Sequence, residues 1–128
     1  MNPPQDRRYS RFHVWALRGD LGDVRSGLTH VPGVFLGDAV SVDLPSPRTE
    51  IFAGEPIGLV ESSSTVFEFL SPLTGIVVDV NPEAEGAPQK VTKDPYGDGW
   101  LLTIRPSAPE ELDALLSAEE YVRFVGEG

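Results

Sequence analysis

Short apolar segments separated by turn residues constrain the fold of this chain more than any other feature of its sequence. The clearest are 57–61, 66–70 and 76–80. A polar tetrapeptide, 62–65, separates the first two, and the Ser-Pro-Leu-Thr-Gly segment 71–75 separates the last two. Strands at this spacing, with glycine and proline in the turns, are typical of a small β-sandwich or barrel. The sequence therefore predicts a mainly β fold.

Other segments extend this pattern along the chain. An aromatic-rich strand is predicted over 9–17, and shorter strands are predicted over 24–28, 39–44 and 100–104. The 13 glycines and 12 prolines make up roughly a fifth of the chain, against a usual share of about 12%, which favours turns and short strands over a helical bundle. The 128 residues fit one compact domain. We expect 9–128 to form it, preceded by a flexible N-terminus over 1–8.

A short helix is predicted in the N-terminal half. Thr29 is placed to cap a helix over 29–35, and Gly37 would end it. Pro32 is tolerated because it falls in the first turn of that helix. The segment 81–92 is acidic and contains prolines, and we interpret it as a surface loop.

Two further helices are predicted near the C-terminus. Ser107-x-x-Glu110 and Ser117-x-x-Glu120 both match the capping box, in which the serine and the acidic side chain each satisfy a backbone N–H of the first turn. Leucines and aromatic residues at helical spacing follow each box. The sequence thus predicts a helical appendage over about 107–125, packed on the β-structure.

The charge balance restricts the partners of the protein. Ten Lys and Arg stand against twenty Asp and Glu, so the formal net charge is −10. This argues against nucleic acid or an anionic membrane as a partner and favours a protein with a basic face. The lack of cysteine excludes disulfides, thiolate metal sites and cysteine nucleophiles. No apolar run approaches the length of a membrane span and no signal-like segment follows the N-terminus, so we expect a soluble cytoplasmic protein.

The serine cluster at 62–64 is the most unusual local feature, and it has two interpretations. It is either a solvated turn or a source of a nucleophile, and a nucleophile needs a base and an oxyanion site. The chain has only two histidines, His13 and His30, and no Gly-x-Ser-x-Gly elbow, so a hydrolase is disfavoured. Two isolated histidines do not make a metal site, and 94–99 lacks the alternating oxygen ligands of a calcium loop. We therefore predict neither an enzyme nor a metal protein.

Several blocks of residues occur in a characteristic order along the chain. Tyr9, His13 and Trp15 form the pattern Tyr-x-x-x-His-x-Trp, and 37–45 reads Gly-Asp-Ala-Val-Ser-Val-Asp-Leu-Pro. The later blocks are Ala-Gly-Glu at 53–55, Val-Glu-Ser at 60–62, Ser-Pro-x-x-Gly at 71–75 and Asp-Pro-Tyr-Gly-Asp-Gly-Trp-Leu at 94–101. In this order and at these separations, they resemble the H protein of the glycine cleavage system. The resemblance implies a lipoyl/biotinyl-type barrel-sandwich hybrid, with two small antiparallel sheets, a short helix in the N-terminal half and C-terminal helices.

The sequence departs from that family at the hairpin tip. The family reads Glu-Ser-x-Lys there, and its lysine carries lipoate through an amide bond. In the same register this chain reads Glu61, Ser62, Ser63 and Ser64, followed by Thr65. Ser64 therefore occupies the lysine position, and a hydroxyl offers an ester rather than an amide. From this we predict a non-lipoylated H-like protein, with no cofactor at Ser64 or elsewhere.

The resemblance and the departure together predict a non-catalytic docking or regulatory protein, monomeric in solution. Its partners would be the aminomethyltransferase, the glycine decarboxylase or a lipoate-attaching enzyme. One alternative is a carrier modified at another residue, since Lys90 and Lys93 are the two lysines of the chain. Another is a lipoyl carrier whose lysine was substituted, and a third is an enzymatic role for the serine cluster.

Overall fold

The computed structural model describes residues 2–127, and β-strands dominate it. In chain order the strands are β1 (Arg8–Tyr9), β2 (Val14–Arg18), β3 (Val24–Leu28), β4 (Ser41–Asp43), β5 (Glu50–Ile51), β6 (Pro56–Glu61), β7 (Val66–Leu70), β8 (Gly75–Val80) and β9 (Leu102–Pro106). One sheet has six strands in the order β1-β2-β3-β9-β8-β5, and the other has three in the order β4-β6-β7. All neighbouring strands are antiparallel. The predicted mainly β fold of two antiparallel sheets is confirmed.

Short helices lie in connections between the strands and after the last strand. They are α1 (Val31–Leu36), α2 (Pro82–Gly86), α3 (Gln89–Lys93) and α4 (Ala118–Glu127), with a 3₁₀ turn at Pro109–Leu112. The capping box at the start of α4 is formed as predicted. The Ser117 N–H donates to Glu120 Oε1 at 2.9 Å, and the Glu120 N–H donates to Ser117 Oγ at 3.1 Å. None of the helices within 2–127 is long and apolar enough to cross a bilayer.

The strand predicted over 9–17 is two strands joined by a turn, so that prediction was wrong. The Ser10 N–H donates to the Val14 carbonyl at 2.8 Å, and the His13 N–H donates to the Ser10 carbonyl at 3.3 Å. His13 takes a positive φ of 66° to close the turn. The turn places Tyr9 opposite Trp15 in a two-stranded ladder. Sequence alternation alone does not show it, because aromatic residues continue through the turn.

The segment predicted as a loop at 81–92 contains all of α2 and all but the last residue of α3, so that prediction was wrong. Asn81 caps α2 by accepting a hydrogen bond from the Glu83 N–H at 3.1 Å. Tertiary contacts stabilise both helices, since each buries one apolar side chain, Ala84 in α2 and Val91 in α3. Few apolar residues and two prolines in this segment concealed the helices from sequence reasoning.

Both other predicted helix starts also need correction. The helix expected from Thr29 begins at Val31, because Thr29 Oγ1 is engaged with the Tyr121 hydroxyl at 2.7 Å and makes only a 3.3 Å contact with the Val31 N–H. At the C-terminal side, Ser107 does not cap a helix. Its N–H donates to the Thr74 carbonyl at 2.9 Å, and Ala108 precedes the 3₁₀ turn instead.

Two apolar clusters hold these elements together. The larger lies between the two sheets and includes Val60, Phe69 and Ile104, all fully buried. The smaller packs α4 against β1 and β2, with the Tyr9 and Tyr121 rings stacked at 4.9 Å. The β6–β7 hairpin therefore has one face in the core and the other in solvent. The predicted flexibility of 1–8 stays a prediction.

Candidate functional site

The turn at the tip of the β6–β7 hairpin is organised by Ser62. The strands end in the pair Glu61 and Val66. The Ser62 N–H donates to the Thr65 carbonyl at 2.9 Å, and Ser62 Oγ accepts from the Ser64 N–H at 3.3 Å and the Thr65 N–H at 3.2 Å. Small hydroxyl side chains form such turns readily. The serine cluster thus includes a structural serine, a role that the sequence analysis did not assign.

Ser63, Ser64 and Thr65 are exposed at this tip. The Ser64 hydroxyl sits on Cβ, close to the backbone, and contains no amine. An acyl group on it would be an ester on a short stem, whereas the group implied by the resemblance is attached by an amide to a long one. The residues at the tip therefore do not fit an amide-linked lipoyl group at position 64.

The two lysines lie together on α3 but differ in their contacts. Lys90 Nζ donates to Glu83 Oε2 at 3.0 Å, and this hydrogen bond raises the pKa of Lys90. Lys93 Nζ lies 3.9 Å from Asp38 Oδ2, and its side chain is 63% exposed. Lys93 is thus the less engaged amine of the two.

The end of α3 is connected to the tip end of the hairpin through the segment before β4. The Ala39 N–H donates to Thr92 Oγ1 at 3.1 Å, which ties α3 to the segment before β4. One residue further, the Val40 N–H donates to the Glu61 carbonyl at 2.7 Å, at the last residue of β6. The Lys93 amine and the hairpin tip therefore lie at the same end of the three-stranded sheet.

The outer face of the three-stranded sheet presents acidic and apolar side chains. We call it the acidic face and define it by two rows of cross-strand neighbours: Asp43, Leu59 and Glu68 in the first, and Ser41, Glu61 and Val66 in the second. All are exposed except Glu61, which is partly so. β4, β6 and β7 contain no Lys, Arg or His. Of these six residues, only Glu61 was a candidate from the sequence. The alternation of polar and apolar residues in 39–44 was the available signal, since it places Ser41 and Asp43 on the outer side of β4.

The histidines are structural rather than partners of the serines. His13 Nδ1 lies 2.7 Å from the Tyr121 hydroxyl, and His30 Nδ1 lies 2.7 Å from the Tyr96 hydroxyl. Neither ring hydrogen-bonds to a tip serine in the described chain, so the base that a nucleophile requires is not supplied. Nor do residues 2–127 bring together a His, Asp and Glu cluster suited to a metal ion.

The environment of His13 predicts a pH dependence of stability. Burial, and to a lesser extent the charge of His30, lowers the pKa of His13 below its ordinary value of 6.5. The unfolded chain therefore binds the proton more readily than the folded one. The free energy of unfolding should be highest above about pH 6.5 and should fall as the pH drops below that value.

Urea unfolding between about pH 5 and pH 8 would measure this dependence. His13→Asn is the matched variant, because asparagine tolerates the positive φ of this position and does not titrate. We expect its stability to fall less at acid pH than that of the parent chain. An equal fall in both proteins would contradict the role given to His13.

Three comparisons with known proteins bear on the identity of this fold and site. Residues 7–128 match the sequence profile of the family described as Glycine cleavage H-protein. The glycine cleavage system H protein of Geobacillus thermodenitrificans is 43% identical over 128 residues, covering 100% of both chains. That of Rubrobacter xylanophilus is 47% identical over 125 residues, covering 97% of this chain and 95% of its own. This chain belongs to the glycine cleavage H-protein family.

A solved structure of the same family supports the fold. The crystal structure of a glycine cleavage system H protein from Mycobacterium marinum superposes with a TM-score of 0.87 at 39% sequence identity, covering 97% of this chain and 99% of that one. Since the likeness extends over nearly all of both chains, the predicted barrel-sandwich hybrid is confirmed.

The prediction that this H-protein relative has no cofactor was wrong. That prediction rested on the chemistry of one residue, Ser64, but was made for the whole protein. The chain matches glycine cleavage H proteins along its whole length, at 40–47% identity. Membership in a family whose proteins carry lipoate conflicts with the expectation that this chain has no cofactor. The chemistry of Ser64 supports only a narrower statement, which is that its hydroxyl cannot form the amide made by a lysine.

Proposed function

We propose that this H-protein family member is a non-catalytic docking component of the glycine cleavage system, and that it binds a partner through the acidic face. The observation that supports this proposal is that the acidic face is exposed, contains three carboxylates and lies on strands without a basic residue. Leu59 and Val66, which are 36% and 51% exposed, place apolar surface between the charges. Such a surface suits a protein with basic side chains around an apolar contact.

The two kinds of side chain would contribute differently to this complex. Carboxylates attract a basic partner over about a Debye length and raise the rate of association more than the final affinity. Burial of Leu59 and Val66 would then stabilise the complex by roughly 25 cal/mol for each Å² removed from water. We propose the aminomethyltransferase, the glycine decarboxylase or a lipoate-attaching enzyme as partner, with the chain acting as a cytoplasmic monomer whose single domain spans 9–128.

The direct test is the equilibrium binding of the purified full chain to each of these three enzymes by calorimetry or interferometry. We expect saturable binding to at least one of them, with an association rate that falls as salt is added. Absence of binding to all three at tens of micromolar would refute the docking proposal.

A second candidate function is a carrier that is modified on α3. Two observations favour Lys93 over Lys90 as the modified residue: its amine lacks a close hydrogen-bonded partner in the described chain, and it lies at the hairpin end of the sheet. An amine on a four-carbon stem has the chemistry that the Ser64 hydroxyl lacks. When bound there, a lipoyl group would supply a dithiolane on a long arm.

Peptide mass spectrometry after incubation with lipoate and a lipoate-attaching enzyme tests this second function. We expect modification on the peptide containing Lys93, its loss in Lys93→Arg and its retention in Lys90→Arg. Both substitutions keep the positive charge and remove the primary amine, so each is a control for the other. An unmodified parent chain would refute this candidate.

A further inference from the structure

We propose that a second surface, opposite in charge to the acidic face, binds an acidic peptide segment of a partner protein. Four arginines, Arg7, Arg8, Arg11 and Arg18, occur within 7–18, and this segment contains no Asp or Glu. Of these four, Arg11 lines a groove together with Arg123 of α4, whereas Arg7, Arg8 and Arg18 line a separate cavity with Asp6. We call the surface around Arg11 and α4 the arginine face. The proposal stands independently of the docking role of the acidic face.

The arginine face contains a groove between the β1–β2 turn and α4. The groove has a volume of about 350 Å³ and is lined by Arg11, Leu116, Glu120, Arg123 and Phe124. The Arg11 guanidinium lies over the Phe124 ring, 5.7 Å from its centroid, and this cation–π contact orders an exposed side chain. One positive side chain is therefore preorganised at the edge of an apolar floor.

Neither Arg8 nor Arg11 forms an ion pair within the described residues. Arg8 donates to the Leu115 carbonyl at 3.2 Å, which is a neutral acceptor. Within the part of the chain that the structure describes, the ion pairs formed by arginine are Arg7 with Asp6 and Arg105 with Asp23. Arg11, which is exposed, thus keeps its charge available for an external carboxylate, which a guanidinium binds in a bidentate geometry.

Of the described residues, Glu120 is the one carboxylate that lines this groove, and its Oε1 is turned towards the backbone. Its Oε1 accepts the Ser117 N–H as part of the capping box. Hydrogen bonds from the Ser117 backbone and side chain lower the pKa of Glu120, and the charges of Arg123 and Arg8 lower it further. Glu120 therefore stays ionised, and with Arg11 and Arg123 it leaves the groove with one net positive charge.

The neighbouring surface indicates what kind of anion fits. On the other side of Arg11, a second cavity of about 210 Å³ is lined partly by Phe12, Leu115 and Leu116, and Phe12 is 49% exposed. Alternating positive and apolar elements match an acidic peptide that also carries apolar side chains. A nucleic acid is disfavoured, because the whole chain carries a net charge of −10 and would repel its phosphates.

Fluorescence anisotropy with the full chain and a labelled Glu-Leu-Glu-Phe-Glu-Leu-Glu peptide tests the proposal. We expect saturable binding that weakens with salt and becomes about tenfold weaker in Arg11→Gln combined with Arg123→Gln. Arg48→Gln combined with Arg25→Gln is the matched control, because both arginines lie away from the groove and the charge change is the same. The control pair should bind within about twofold of the parent.

Several outcomes would overturn the proposal. They are no saturable binding, an equal loss in both double variants, or equal binding of the corresponding Lys-Leu-Lys-Phe-Lys-Leu-Lys peptide. Tighter binding of a DNA oligonucleotide than of the acidic peptide would also overturn it. The four substituted arginines, Arg11, Arg25, Arg48 and Arg123, are all exposed, so unchanged circular dichroism and thermal unfolding should show that the variants remain folded.

Discussion

Replacing Ser64 with lysine is expected to convert the hairpin tip into a lipoylation site. The position is exposed, and the turn is held by Ser62 rather than by the Ser64 side chain, so the substitution leaves the tip hydrogen bonds intact. It also supplies the amine that an amide requires. Incubated with lipoate and a lipoate-attaching enzyme, the Ser64→Lys chain should gain one lipoyl group on the peptide containing residue 64.

Ser63→Lys is the matched control for this gain of modification. It places the same amine one residue earlier on the same exposed turn. Ser64, and not Ser63, occupies the position of the family's lysine, so we expect Ser63→Lys to be modified far less. Failure of Ser64→Lys to accept the group would contradict the prediction and would assign the incompatibility to the neighbours Ser63 and Thr65.

Reversing the charge of the acidic face is expected to disrupt docking. Asp43 and Glu68 flank Leu59 in one row of the sheet, and both side chains are exposed. Asp43→Lys combined with Glu68→Lys would place two positive charges against a basic partner. Each lost attraction and new repulsion should weaken the complex, so we expect Kd to rise at least about tenfold, equivalent to roughly 1.4 kcal/mol.

The control for this reversal makes one acid-to-lysine change elsewhere, which is half the charge change of the double variant. Glu119→Lys alters an exposed acid on α4, outside the acidic face. It should change Kd little, whereas a general effect of net charge would weaken binding in both proteins in proportion to their charge. Binding of the double variant with the affinity of the parent would show that the partner docks on another surface.

Most strands were predictable because their determinants are local. Strands over 24–28 and 66–70 match β3 and β7 to the residue, since each is a short apolar segment bounded by turn residues. The capping box at Ser117 was also predictable, because it joins residues three apart on one helix. The equivalent pattern at Ser107 failed because Thr74, distant in sequence, takes the Ser107 N–H.

One candidate site could be predicted from neighbouring residues, whereas the two charged surfaces depend on contacts between distant residues. The position of Ser64 at a hairpin tip follows from two strands and a four-residue turn, which adjacent residues specify. The acidic face needs the pairing of β4 with β6, because only the register places Asp43 beside Leu59. The arginine face joins Arg11 to α4 through contacts between residues more than 100 positions apart.

By itself, the sequence determined the mainly β fold, the family resemblance and the residue at the hairpin tip, because alternation, turn chemistry and ordered motifs are local properties. Only the tertiary structure decided which of the many charges lie together, and that α2 and α3 are helices at all. Burial of Ala84 and Val91 and pairing of distant strands supply free energy that short segments lack in isolation, so neither outcome can be read from the neighbouring residues.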